Sequence, residues 1–133
     1  MQIERLRRRP DFLLAARAPS KAQGGVVVQM RNRRDDRPLI RVGFTATKKI
    51  GGAVVRNRAK RRLREAARAL IPELGRPGHD YVLIARGGTA ERPWARLIDD
   101  VQSALISLAA AHDRLATPPP DGAEPPAPPV LAP

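Results

Sequence analysis

Apolar residues recur along this chain with two different spacings, and each spacing predicts a different element. Three short runs rich in β-branched residues, at residues 24–30, 39–47 and 79–86, predict strands. The last run has an unbroken apolar centre, YVLIA, which is typical of a strand buried on both faces. The segment RNRRDDRP, residues 31–38, lacks periodicity and is dense in charge. We therefore expect a solvated hairpin loop between the first two strands.

Helical spacing predicts three helices. The first begins at Pro10, where the fixed φ of proline is tolerated, and continues to about Arg17. The second contains residues 54–68 and ends near Leu70, because proline follows two residues later. The third begins near Pro93 and places its apolar residues on one side. The order α, β, β, with room for a short further strand, then α, β, α, predicts an α+β sandwich of helices against a small mixed sheet.

Composition divides the chain into a basic domain and a tail. Residues 116–133 hold eight of the 14 prolines and have little apolar surface to bury, so we expect a disordered, proline-rich tail. The chain of 133 residues has a net charge of +12, and the tail contains two acids and no base, so the domain at residues 1–115 carries +14. A surface this positive favours a polyanionic partner.

Several classes of protein are disfavoured by what the sequence does not contain. It has no cysteine, which removes disulfides, thiolate metal sites and a cysteine nucleophile. No apolar run approaches the roughly 20 residues that span a bilayer, and the basic N-terminus lacks a long apolar segment. We expect a soluble, cytoplasmic protein with no membrane partner.

The basic segment VVRNRAKRRLREAAR, residues 54–68, separates its charge from its apolar residues when it is drawn as a helix at about 100° per residue. One narrow stripe collects an amide and four cations: Asn57, Lys60, Arg61, Arg64 and Arg68. The opposite side collects the residues suited to packing: Ala59, Leu63, Ala66, Ala67 and Leu70. Because an unspecific charged tract needs no such separation, the pattern favours nucleic-acid binding.

Candidate catalytic groups are few. The segment TKKIGG, residues 47–52, lacks the glycine that a P-loop places directly before its lysine, so it predicts a tight connection that either faces a phosphate or forms a plain turn. His79 and His112 are far apart in sequence and have no partner at metal-ligand spacing. Among the aromatic residues, Trp94 is expected in the core, whereas Phe12 is expected either to meet a base or to pack. We predict no catalytic residue and no metal site formed by the protein alone.

Residues 41–68, RVGFTATKKIGGAVVRNRAKRRLREAAR, resemble the signature of the bacterial ribonuclease P protein component. The resemblance centres on the RNR element, Arg56-Asn57-Arg58, which follows a predicted strand and two lysines. It extends less densely over about residues 3–112 and leaves the tail outside. It implies an α-β-β-β-α-β-α two-layer sandwich with a mixed sheet and a left-handed crossover at the helix that carries the RNR element.

The same resemblance implies a role in tRNA processing. In that family a ribonucleoprotein endoribonuclease removes the 5′ leader of precursor tRNA, the RNA subunit carries out the Mg²⁺-dependent hydrolysis, and the protein binds both RNAs. We therefore expect the catalytic RNA and precursor tRNA as partners, Mg²⁺ held mainly by the RNA, and no DNA partner.

Individual contacts can be carried over by position. The residues expected against the catalytic RNA are Arg56, Asn57, Arg58 and Arg62, with Asn57 close to an RNA-bound ion. The leader would occupy a cleft floored by the sheet and walled by the first two helices, in contact with Phe12, Val27, Thr45, Thr47, Lys49, Lys60, Arg61 and Arg64. Additional basic contacts are expected from Lys48 and Arg68.

The sequence also departs from the family pattern. Ala16 stands where a second aromatic residue is common, and Gly52 replaces a frequent asparagine. We therefore hypothesise that leader binding depends more on charge than on stacking. Two other interpretations remain open: a basic ribosomal or ribosome-assembly protein without a catalytic role, and a DNA-binding module whose charged helix reads the major groove.

Overall fold

The computed structural model describes residues 2–116, which form one mixed sheet with helices on both of its faces. Along the chain the elements are β1 (Ile3–Arg5), α1 (Arg9–Ala15), β2 (Ser20–Gln23), β3 (Val26–Asn32), β4 (Ile40–Thr45), α2 (Ala53–Leu74), β5 (His79–Ala85) and α3 (Trp94–Ala116). The predicted tail, residues 116–133, lies outside the described residues except for Ala116, which ends α3.

The sheet has the strand order β1-β4-β5-β3-β2. Its central strand, β5, pairs antiparallel with β3 and parallel with β4. The predicted α+β class with a mixed sheet is therefore confirmed. Since β4 and β5 are parallel neighbours joined through α2, this connection is the crossover whose left-handedness the resemblance implies, and its hand stays a prediction.

Side chains of β5 alternate between two cores, as the period of a strand requires. Tyr81, Leu83 and Ala85 belong to the larger core, which α2 and α3 cover. Val82 and Ile84 lie on the other face, with α1. The predicted burial of this strand on both faces is thus confirmed, and it places α1 and α2 on opposite sides of the sheet.

The hairpin predicted for residues 31–38 is wrong. The strands β3 and β4 are not neighbours, because β5 lies between them and pairs with both. Arg31 and Asn32 belong to β3, and the side chain of Arg33 is only 5% exposed, so the segment is not simply solvated. Sequence alone could not reveal this arrangement, since β5 comes about 50 residues later in the chain.

Two element bounds also differ from the prediction. The strand β1 is not predicted, because its residues Ile-Glu-Arg are all exposed and show no alternation. The strand β2 lies before the first predicted strand, whereas the pattern leaves room for a short further strand only after the second. The helix α2 continues through Pro72 to Leu74 instead of ending near Leu70. Although Pro72 removes one helical hydrogen bond, Ile71 is fully buried, and its carbonyl accepts the Gly75 N–H at 2.7 Å.

Candidate nucleic-acid interface

The charged and packing sides of α2 are separated as the angular pattern predicts. Four of the expected packing residues are buried, Ala59, Leu63, Ala66 and Ala67, and Leu70 is half-buried against the same core. On the other side Asn57, Arg61 and Arg68 are exposed, and Lys60 and Arg64 are half-exposed. We call these five residues the basic side of α2. Its small packing residues bring the helix close to the sheet and leave the long cationic side chains in solvent.

Positive charge also collects at the beginning of α2. Thr47, Lys48 and Lys49 are exposed just before the helix, and Lys48 and Lys49 lie in a short 3₁₀ helix that ends at Ile50. Gly51 follows with φ 144°, and a Cβ there would lie 2.9 Å from Val55 Cβ, so the connection requires glycine. The first turn of α2 contains no acid, and its N-cap residue is a glycine, which has no side chain to cap the helix. This end therefore offers backbone N–H groups and cations to an anion.

Within the RNR element, Asn57 and Arg58 are exposed and Arg56 is half-buried. The Nε of Arg56 is buried and has no hydrogen-bond partner among the residues described. The element thus presents one exposed amide, one exposed arginine and a second arginine that is partly withdrawn from solvent.

Arg62, expected against the catalytic RNA, is bound to the protein itself. Its Nη1 donates to the Thr89 carbonyl at 2.6 Å, and its Nη2 donates to the Arg92 carbonyl. The guanidinium also lies over the Trp94 ring, 5.9 Å from the centroid. Trp94 is 44% exposed, so its expected place in the core is wrong: the ring lies at the surface beside Arg62. No local pattern indicates these contacts, because Thr89 is 27 residues away along the chain.

The remaining leader candidates lie on the sheet face that carries α1. Phe12 packs directly on Gly43, where an added Cβ would come within 2.6 Å of the phenyl ring. Val27 and Thr45 are half-buried, and each pairs with Ile84 of β5 on that face. Phe12 is therefore part of the packing under α1 as well as a partly exposed aromatic side chain.

The expected leader contacts do not form one cleft between α1 and α2, since these helices cover opposite faces of the sheet. Phe12, Val27 and Thr45 lie on the α1 face, whereas the basic side of α2 belongs to the other layer. The exposed segment from Thr47 to Lys49 joins the two groups, because it leaves the end of β4 and leads into α2. A bound strand would have to pass around this end of the sheet to meet both groups.

Arg64 and Arg68 line a separate groove of about 320 Å³ between α2 and the sheet edge. The edge strand β1 forms the opposite wall through Ile3 and Arg5, and Phe44 lies at the base. The groove combines an apolar base with three cations and one glutamate, and sequence reasoning could not locate it because β1 is not predicted.

A buried ion-pair cluster neutralises several other arginines. Asp80 is fully buried, and its carboxylate accepts from Arg41 Nε and Nη2 at 2.8 and 2.7 Å and from Arg33 Nη1 at 2.8 Å. Arg31 Nη1 lies 3.4 Å from the same carboxylate, and Arg41 also pairs with Asp11. The hydrogen bond to Asp80 raises the pKa of the Arg41 guanidinium. The signal in the sequence is an aspartate within an apolar strand, which needs buried cationic partners.

The described residues contain no group of three or more His, Cys, Asp or Glu side chains placed to hold a metal ion. Within the same part of the chain, no helix is long and apolar enough to cross a membrane.

Comparison with known proteins gives one consistent result. A family model described as Ribonuclease P matches residues 1–109. The chain is 70% identical over 114 residues to the ribonuclease P protein component of Caulobacter vibrioides, covering 86% of this chain and 76% of that protein. It is 56% identical over 108 residues to that of Ruegeria pomeroyi, covering 80% and 86%. Among solved structures it is similar to the RNase P protein of Thermotoga maritima, with a TM-score of 0.57, 33% identity and coverage of 78% and 93%.

Proposed function

Because this chain belongs to the bacterial ribonuclease P protein family, with a subunit role in tRNA processing, we propose that it binds the catalytic RNA of that enzyme and the 5′ leader of precursor tRNA. The observation that carries the proposal is the basic side of α2, five polar and cationic residues in solvent above a packing side of alanine and leucine. Such a surface binds phosphates by charge.

In this proposal the two RNAs use different parts of the surface. The RNR element, with exposed Asn57 and Arg58, contacts the catalytic RNA, and Asn57 lies close to a metal ion held by that RNA. Lys60, Arg61 and Arg64 contact the leader, together with Lys49 and the α1 face of the sheet. Arg62 contributes by holding α2 to the segment before α3 rather than by touching RNA.

The RNA subunit is proposed to carry out the hydrolysis of the phosphodiester bond and to hold the Mg²⁺ ions. The contribution of the protein is then to hold the leader and to screen charge between the RNAs, which lowers the Mg²⁺ concentration that cleavage requires.

Reconstitution tests the proposal. Purified protein is added to a bacterial ribonuclease P RNA at low Mg²⁺, and removal of the leader from precursor tRNA is measured. We expect cleavage that neither component gives alone under these conditions. RNA binding without any gain in cleavage would instead indicate a structural RNA-binding protein.

Arg64→Ala separates leader contact from contact with the catalytic RNA. We expect it to weaken binding of leader-bearing precursor tRNA by about tenfold and leave binding of leaderless tRNA unchanged. The matched control is Arg96→Ala, which removes an exposed arginine of α3 outside the basic side of α2. An equal loss with both substrates would mean that Arg64 touches the catalytic RNA.

A further inference from the structure

A second concave site lies away from the basic side of α2. It has a volume of about 620 Å³ and opens between the end of α1, the end of β3 and the last turns of α3. No residue of α2 lines it. Its size is that of a small-molecule or nucleotide pocket.

The floor of this cavity is apolar. Leu14, Met30, Leu108 and Ala111 line it from α1, β3 and α3, and Leu14 is one of the exposed large apolar side chains of the protein. A flat, uncharged group of the size of a nucleobase fits such walls, because burying its faces removes apolar surface from water on both sides.

His79 also lines the cavity, and its ring contains a buried acceptor without a partner among the described residues. His79 is only 5% exposed, and its ring Nδ1 lies 2.9 Å from the carbonyl oxygen of Pro77. A carbonyl can only accept, so Nδ1 carries the proton and Nε2 of the neutral ring is a bare acceptor. This Nε2 is buried and has no hydrogen-bond partner among residues 2–116. An unsatisfied buried acceptor favours a ligand that brings an N–H or O–H donor.

Neutrality of the His79 ring is favoured by its surroundings. Burial lowers the pKa of His79, and the nearby charges of His112 and Arg33 lower it further. The His112 ring meets it edge to face, with 5.0 Å between the centroids.

The rim of the cavity is cationic. Arg17 and Arg34 are exposed on it, and no carboxylate of residues 2–113 lies within ion-pair distance of either side chain. Arg31 is also on the wall but is paired with Asp80. None of the described residues that line the cavity is acidic. The uncompensated positive charge repels a metal cation and attracts a phosphate.

We propose that this cavity is a second RNA contact, which holds one unpaired nucleotide of a bound RNA. The base lies among Leu14, Met30 and Leu108, the phosphate meets Arg17 and Arg34, and a base amino group or ribose hydroxyl donates to His79 Nε2. The inference rests on the proposed RNA-binding function and adds a site to it on a different part of the surface.

The test uses the full chain and a short single-stranded RNA of mixed sequence, with binding followed by fluorescence anisotropy at low salt. Arg17→Ala combined with Arg34→Ala, two exposed positions, is expected to weaken binding about tenfold and to reduce the salt slope by about 0.7, because one phosphate contact is lost. His79→Asn keeps a donor for the Pro77 carbonyl and removes the Nε2 acceptor; about a threefold loss is expected. Arg96→Ala is the control that should change nothing.

NMR of the His79 ring provides a second measurement beside the binding affinities. The imidazole ¹⁵N resonances of His79 should move on addition of the RNA, because Nε2 gains a hydrogen bond. Loss of binding in Arg64→Ala with no effect of the cavity variants and no movement of the His79 signals would overturn the second contact and leave the proposed function intact. No effect of any of these variants would overturn both. Movement of the His79 signals with adenosine monophosphate but not with RNA would mean a site for a free nucleotide, and would also overturn the RNA contact.

Discussion

Substituting Asp80 with asparagine should destabilise the fold more than any other single change of charge in the sheet. The carboxylate is fully buried and accepts three hydrogen bonds of 2.7 to 2.8 Å from Arg33 and Arg41. Asparagine has nearly the same shape, but it removes the negative charge and one acceptor oxygen. Three guanidinium groups, 5 to 23% exposed, would then be left close together without a counter-charge.

The expected loss of stability follows from the buried guanidinium groups that are left without the Asp80 carboxylate. Breaking a buried ion pair by removing one partner costs about 3–5 kcal/mol, because the remaining charge stays desolvated. A small domain has about 5–15 kcal/mol of stability in total. With about 4 °C of melting temperature for each kcal/mol in a domain of this size, Asp80→Asn should lower Tm by about 12–20 °C.

Urea unfolding followed by far-UV circular dichroism measures this loss directly. The matched control is Asp35→Asn, whose carboxylate also pairs with Arg33 but is 36% exposed, so its removal should leave the urea midpoint nearly unchanged. The reasoning is refuted if Asp80→Asn stays within about 1 kcal/mol of the unsubstituted protein, since the cluster would then contribute no more than a surface pair.

Three further expectations follow from the same structure. Arg62→Met should lower the free energy of unfolding by about 2 kcal/mol, because Arg62 binds backbone carbonyls, and should leave the salt slope of RNA binding unchanged. Arg58→Met should instead reduce that slope by about 0.7. The opposite pattern would place Arg62 on the RNA. Since the lowered pKa of His79 lies below its unfolded value of about 6.5, the unfolded chain binds this proton first, so stability is present above about pH 6.5 and is lost as pH falls below it. Urea titrations between about pH 7.5 and 5 measure how far the free energy of unfolding falls with pH. The fall should be smaller in His79→Asn than in the unsubstituted protein, since His112 and Arg33 are the same in both. Equal falls in the two proteins would contradict this expectation. If about five phosphates of the leader are neutralised, log K should fall against log[salt] with a slope of about −3.5, and a slope close to zero would count against leader binding by charge.

Sequence was most informative where a property is local. The direction of each α2 side chain follows from its position along one helix, so the separation of Asn57 and Arg61 from Leu63 could be predicted from spacing alone. The continuous apolar run of β5 likewise predicted its burial on both faces.

Sequence was least informative where a contact joins distant parts of the chain. Asp80 meets Arg41 and Arg33 across 39 and 47 residues, and nothing local to either arginine distinguishes it from the cations of α2. Arg62 follows Arg61 directly, yet only Arg61 remains exposed, because the carbonyls that bind Arg62 come from the segment before α3. The strand order could not be predicted for the same reason, since the pairing partner of both β3 and β4 is β5.

Because β5 is the central strand, the sheet can form only after β5 has been synthesised. All three middle strands meet only when residues 79–85 are available, although β3 and β4 are synthesised earlier and cannot pair with each other in this sheet. A nascent chain that ends before His79 therefore holds two apolar strands with open edges, together with a helix whose charges repel one another. Folding must wait for the strand that arrives last, so a chain cut short before it is expected to aggregate or to be degraded rather than to compete with the complete protein for RNA.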